Sequence, residues 1–165
     1  MHTAEDIEQQ VKLTLESMNE EYEWIKVDPN FADTAAFCEK YGFSMDHSGN
    51  TIIVASKRGE KKYSACVVRG TDRLDVNKKV RSLMEVSRLS FANADETIHL
   101  TGMMIGGVTP FALPESLPIY VDAMIMELDY VILGGGSRSG KVKIAPSALL
   151  HIPTSRVIEG LSMAR

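Results

Sequence analysis

The chain has 165 residues and a net charge of −4, with 44% apolar and 24% charged residues. That balance suits one globular domain over residues 1–165, large enough to bury its own core. It lacks the basic excess of a dedicated duplex-DNA binder and any apolar run long enough to cross a bilayer. The acidic start MHTAEDIEQQ reads as neither a secretion signal nor a transit peptide. Cys38 and Cys66 make no disulfide framework, so the expected setting is the cytoplasm, with both thiols reduced and buried.

In chain order, Thr3 and Asp6 form a capping pair for a first helix. Ile7, Val11, Leu15, Met18 and Tyr22 repeat along one of its faces, a stripe that should pack on a sheet. WIKVDP is extended and ends at Pro29; DTAAFCEKYG suits a second helix, with Asp33 as N-cap and Gly42 just past the end. NTIIVAS and KYSACVV, on either side of a charged turn at Gly59, read as a hairpin. LDVNKKVRSLM is helical, with Val76, Val80, Leu83 and Met84 on one face, and FANADETIHLTG is a short helix closed by Gly102. MMIGGVTPF runs from a strand into a sharp loop. PIYVDAMIMELDYVIL gives a strand, a brief turn or helical piece around 123–127, and another strand. PSALLHI opens a short helix at Pro146, and TSRVIEGLSMAR is expected to close the chain as a further helix. Short connections favour antiparallel pairing, so the expected class is mixed α+β.

The stretch LGGGSRSGKVK, residues 133–143, imitates a phosphate-binding loop: Gly135, Gly140 and Lys141 have the spacing. Val142 stands where the magnesium-binding hydroxyl belongs, and KVKIAP alternates as a strand does rather than starting a helix. Two strands, about 129–133 and 141–145, joined by a glycine-rich turn are the simpler account. Two basic clusters, Lys57, Arg58, Lys61 and Lys62, then Lys78, Lys79 and Arg81, read as a solvated turn and a solvated helix face.

Side-chain chemistry is sparse. His2, His47, His99 and His151 have no metal-ligand spacing, so no metal is expected; no cofactor motif and no nucleophile elbow occur. Cys38 and Cys66 sit in apolar contexts and read as core. GGVTPF, 106–111, is different. Its two glycines allow close approach to a ligand, and Pro110 restricts Thr109 to extended geometry. Such a loop offers main-chain groups and the Thr109 hydroxyl to a small ester or amino-acid group, although a structural turn is the default for it alone.

The loop belongs to an ordered set: Thr101-Gly102, Gly106 to Pro110, Pro118 to Asp122, Gly136 to Gly140, and Ala145-Pro146 with Leu149. Together these resemble the YbaK/ProX family of free-standing aminoacyl-tRNA editing proteins, related to the editing domain of bacterial prolyl-tRNA synthetases. FANADET extends the likeness upstream, and DTAAFCEKYG matches the family's first helix more loosely. The resemblance implies a mostly antiparallel, curved or barrel-like sheet with surrounding helices. It implies trans-acting hydrolysis of the ester of a mischarged tRNA, with no cofactor and no protein nucleophile. The partner implied is the 3′ acceptor end of an aminoacyl-tRNA, with a synthetase as a further partner and no specific DNA. Asn50, Gly106, Gly107, Val108, Thr109 and Pro110 are then expected at the reacting ester, and Thr101, Gly102, Asp122, Gly136 and Arg138 at the substrate. One departure stands out: the family's strand opens on a lysine, and NTIIVA places neutral Asn50 there. Either another cation substitutes, with Lys57 and Arg69 as candidates and His47 near the same strand end, or activity is weakened, or the ligand differs; the alternative reading is a module that binds without turnover.

Overall fold

The computed structural model describes residues 3–165. Helix α1, Ala4–Ser17, begins with a capping box: the Thr3 hydroxyl accepts from the Asp6 N–H and the Asp6 carboxylate accepts from the Thr3 N–H. Ile7, Val11 and Leu15 bury its apolar face. The stripe stops short of Tyr22, because Asn19 takes a left-handed φ of 57° and turns the chain out of the helix. Tyr22 therefore opens strand β1, Tyr22–Lys26. Helix α2, Thr34–Tyr41, ends on Gly42 at φ 77°.

Strands β2, Gly49–Ser56, and β3, Tyr63–Arg69, form the expected antiparallel hairpin, and β4, Asp72–Leu74, follows. A widely wound turn, Val76–Val80, leads into the short α3, Arg81–Met84. After β5, Leu89–Phe91, helix α4, Ala94–Thr101, starts on an Asn93–Glu96 capping box and closes on left-handed Gly102. Strand β6, Ile119–Asp122, a 3-10 turn, Ala123–Glu127, and β7, Val131–Gly134, come next. Then come β8, Gly140–Ile144, a 3-10 turn, Pro146–His151, β9, Ser155–Ile158, and β10, Ser162–Ala164.

Five strands pair in the order β5-β2-β3-β6-β9, three in the order β1-β8-β7, and β10 pairs with β4. Pairing is antiparallel except for β3 with β6 and β6 with β9. The result is the mixed α+β architecture that the sequence patterns imply. Strand alternation sorts the packing. Ile53, Val67 and Val121 on one face of the large sheet meet α1 and the inner face of the small sheet, Leu133, Val142 and Ile144. Val54, Cys66 and Tyr120 on the other face pack with Val80, Met84 and Leu161. Phe37 and Cys38 of α2 cover the outer face of the small sheet at Ile132. Burial pushes the Cys66 thiol up to about 12, so it stays protonated and inert.

Two expectations are corrected. The C-terminal segment is not a helix. Ser155–Ile158 lies parallel to β6, with Ile119 opposite Ser155, and Ser162–Ala164 lies antiparallel to β4. Left-handed Gly160 makes the turn between them. Residues 103–105 are not a strand either: the Gly107 N–H reaches back to the Met104 carbonyl at 2.8 Å and draws them into a tight turn. The glycine-rich stretch is a hairpin, with Gly135 N–H donating to the Gly140 carbonyl at 3.0 Å.

Candidate functional site

The turn at 104–108 is a main-chain crook clamped onto the β7–β8 hairpin. The Gly136 N–H donates to the Gly107 carbonyl at 2.7 Å. A Cβ on Gly134 would lie 2.3 Å from the Val108 carbonyl oxygen, and one on Gly107 would lie 2.5 Å from the Ser137 backbone. Main chain meets main chain here, which only glycine on both sides permits. The N–H groups of Gly106 and Val108 donate to no acceptor among the described residues.

The crook forms one wall of a cavity of about 290 Å³. The start of α2 supplies Asp33 and Thr34, the start of β2 supplies Asn50 and Thr51, and the hairpin supplies Gly134 and Lys141. Beside it lies an apolar lobe of about 250 Å³, which shares Thr51, Ile52, Gly106 and Val108 and extends to Ile53, Phe91 and Ala92. The two make one groove, polar at one end and apolar at the other. No serine, cysteine or histidine lines it among the described residues.

Within the polar end, the Asn50 side-chain carbonyl accepts from the Thr34 hydroxyl. The Thr51 hydroxyl is buried and has no hydrogen-bond partner among the described residues. Lys141 is only 9% exposed. Its ammonium lies 5.1 Å from the centre of the Phe37 ring and makes no salt bridge among the described residues. Burial lowers its pKa, Cys38 and Asp33 pull it back up, and Arg138 adds to the lowering. The Asp33 carboxylate is already held by Arg138 at 3.1 Å.

Other expected site residues lie elsewhere. Arg138 is a strut: its guanidinium donates to Asp33, to the Ile105 carbonyl at 3.1 Å and to the Pro29 carbonyl at 3.0 Å. It ties the crook to the α2 entrance without lining the cavity. Thr109 is fully buried, its hydroxyl turned to the Phe111 N–H, and Pro110 borders a separate cavity with Phe111 and Pro114. Thr101 closes α4, donating to the Thr97 carbonyl and accepting from the Met103 N–H, while Gly102 is the left-handed cap. Asp122 is buried, accepting from the Met124 N–H and the Ser162 hydroxyl, so it joins β6 to β10. Gly136, at φ 98°, gives α1 room to pack at Ile7.

The expected substitute cations are both committed to carboxylates. Lys57 faces Glu96 at 3.9 Å and Arg69 holds Asp72 at 2.8 Å. His47 pairs with Asp129 at 2.9 Å. The cation that reaches the cavity is Lys141, which sequence reasoning met only as the end of a false phosphate loop. Its signal was strand alternation. Val142 and Ile144 face the core, which puts Lys141 on the opposite face, and there α2 covers it.

The groove brings together the main-chain crook, the neutral Asn50 amide and buried Lys141. Residues 28–152 match the family model described as the aminoacyl-tRNA editing domain, and the chain belongs to that family. Uncharacterized protein YwhH of Bacillus subtilis (strain 168) is 26% identical over 139 residues, covering 84% of this chain and 86% of that protein. A candidate Cys-tRNA(Pro)/Cys-tRNA(Cys) deacylase, EbsC of Enterococcus faecalis (strain ATCC 700802 / V583), is 24% identical over 124 residues, covering 73% and 72%. The crystal structure of a candidate trans-editing enzyme for prolyl tRNA synthetase shares the fold, with a TM-score of 0.80, 22% identity and coverage of 96% and 98%. No helix among the described residues is long and apolar enough to cross a membrane.

Proposed function

We propose that the protein is a trans-acting aminoacyl-tRNA deacylase that hydrolyses the ester between a wrong amino acid and the terminal ribose. The observation that carries this reading is the shared cavity: Asn50 and the crook residues Gly106 and Val108, whose N–H groups donate to no acceptor among the described residues, line one groove that ends in an apolar lobe. The Gly106 and Val108 N–H groups are the donors for the ester carbonyl oxygen, whose charge grows in the transition state. Asn50, positioned by Thr34, serves a ribose hydroxyl. The lobe takes the amino-acid side chain, and its limited volume excludes the larger, correct one. With no serine, cysteine or histidine lining the groove among the described residues, and no base paired to its threonines there, the attacking group is a water or a hydroxyl of the substrate itself.

Thr51 lines both ends of the groove, and its hydroxyl oxygen is buried without a hydrogen-bond partner among the described residues. Removing an unpartnered buried hydroxyl in favour of a methyl of the same shape does not destabilise a fold. Thr51→Val is therefore expected to keep or raise Tm; a Tm lowered by several degrees would show that the hydroxyl is paired in the folded protein.

The direct test is a panel of aminoacyl-tRNAs with small and large side chains, each followed for loss of the ester. Esters of small uncharged residues are expected to disappear at least tenfold faster than the spontaneous rate. If every member survives, the enzyme reading fails. Neutral Asn50 at the strand opening favours a second reading, a module that binds without turnover, which would show tight binding of an uncleaved analogue in the same series.

A further inference from the structure

Lys141 raises a physical problem. A lysine this deeply buried normally has a counter-ion, because an isolated ammonium away from water is costly. Here the acid nearest to serving, Asp33, is occupied by Arg138, and the ammonium is left with an aromatic face and the cavity. Burial disfavours its charged form in the free protein. Everything around it fits a cation that completes its pairing only when something negative enters the groove.

We infer that Lys141 is the anion-binding residue of this site, supplying from β8 the positive charge that Asn50 cannot supply from β2. The inference rests on the deacylase reading for the identity of the anion, which is an oxygen of the substrate's acceptor end. Two sources share that chemistry: a phosphodiester oxygen of the terminal nucleotides, and the oxyanion that forms at the ester carbon. The local build favours this placement. Gly134, opposite Lys141 in the β7–β8 register, carries no side chain, so the crook packs directly against the strand beside the lysine. The Phe37 ring of α2 lies 5.1 Å from the ammonium, and Lys141 also lines the groove. Neutral Asn50 lines the same cavity, so a charge arriving from the hairpin meets no rival cation at the strand opening.

The experiment uses the full chain as wild type, Lys141→Met, and the double variant Lys141→Met with Asn50→Lys. Three quantities are read: Tm, binding of the non-aminoacylated trinucleotide cytidylyl-cytidylyl-adenosine, and deacylation of the aminoacyl-tRNA panel. Lys141→Met replaces an isolated buried charge by an apolar chain of similar length, so its Tm is expected to equal or exceed that of the wild type. A purely structural lysine would instead lower it. Trinucleotide binding at least tenfold weaker assigns the contact to a phosphate. Unchanged trinucleotide binding with kcat at least tenfold lower assigns it to the oxyanion. In either case, partial recovery is expected in the double variant, which moves the charge to β2. Equal binding and equal rates in wild type and Lys141→Met, including both at zero, overturn the inference. A panel with no turnover but a trinucleotide that still depends on Lys141 overturns the deacylase reading and leaves this one standing.

Discussion

Gly134→Ala is expected to abolish most activity while the chain still folds. The added Cβ would stand 2.3 Å from the Val108 carbonyl oxygen and 3.0 Å from that of Gly107. Both are backbone atoms of a crook that is itself tied to Gly136, so neither can swing aside as a side chain would. One piece of main chain must move. The overpacking sits at the top of the usual range, about 3 kcal/mol, and lowers Tm by roughly 6–12 °C for a chain of this size. The shift also carries the Gly106 and Val108 N–H groups away from the ester, and a misplacement near 1 Å costs about a hundredfold in rate. Deacylation measured well below the variant's Tm separates the two effects. Gly59→Ala is the control: it has φ 73° with nothing within 4 Å of its Cβ. It is expected to lose about 1 kcal/mol from left-handed strain and no activity. If Gly134→Ala keeps the wild-type Tm and rate, contact with the hairpin is not what sets the crook.

Removing the Arg138 strut is the second large effect. Arg138→Ala loses bonds to Asp33, to the Ile105 carbonyl and to the Pro29 carbonyl. Asp33 is largely exposed, so water repairs part of the loss, and stability falls by only about 1–2 kcal/mol. The functional cost is larger, because the strut is what holds the Ile105 side of the crook to the mouth of α2. A fall in kcat/KM of at least tenfold is expected, with kcat taking most of it. Arg138→Lys is expected to recover little, since a single ammonium cannot reach three acceptors set around a planar fork. If Arg138 instead touched the substrate, KM would rise with Tm unchanged, and Lys would restore part of the binding.

These two residues show where reading the chain stops. The helix ends were legible because caps are local: Thr3 with Asp6, and Gly42 and Gly102 at left-handed positions, act within one turn. The β2–β3 hairpin and the β7–β8 hairpin were legible because alternation and turn glycines lie side by side in the chain. The C-terminal strands were not, because SRVI finds its partner at 119–122 and SMA at 72–74, and no local signal reports a pairing partner so far away. The crook at Gly106–Val108 was legible as a loop with unusual main-chain freedom, and the structure sets it on a cavity with Asn50.

The amino-acid order was thus enough for the fold class, the glycine-rich loop at 106–110 and the neutral Asn50 at the start of β2, since each is written in neighbouring residues. It could not say which distant side chain enters the cavity. Arg138 lies two residues from Gly136 and reads as a ligand contact, yet its reach ends on Asp33, Ile105 and Pro29, 33 to 109 residues away along the chain. Lys141 reads as the end of a phosphate loop, yet pairing with Ile25 and Gly134 turns it under α2 and into the groove. Which charge is free and which is spent depends on through-space partners, and those exist only once the sheets and α2 have closed around the site.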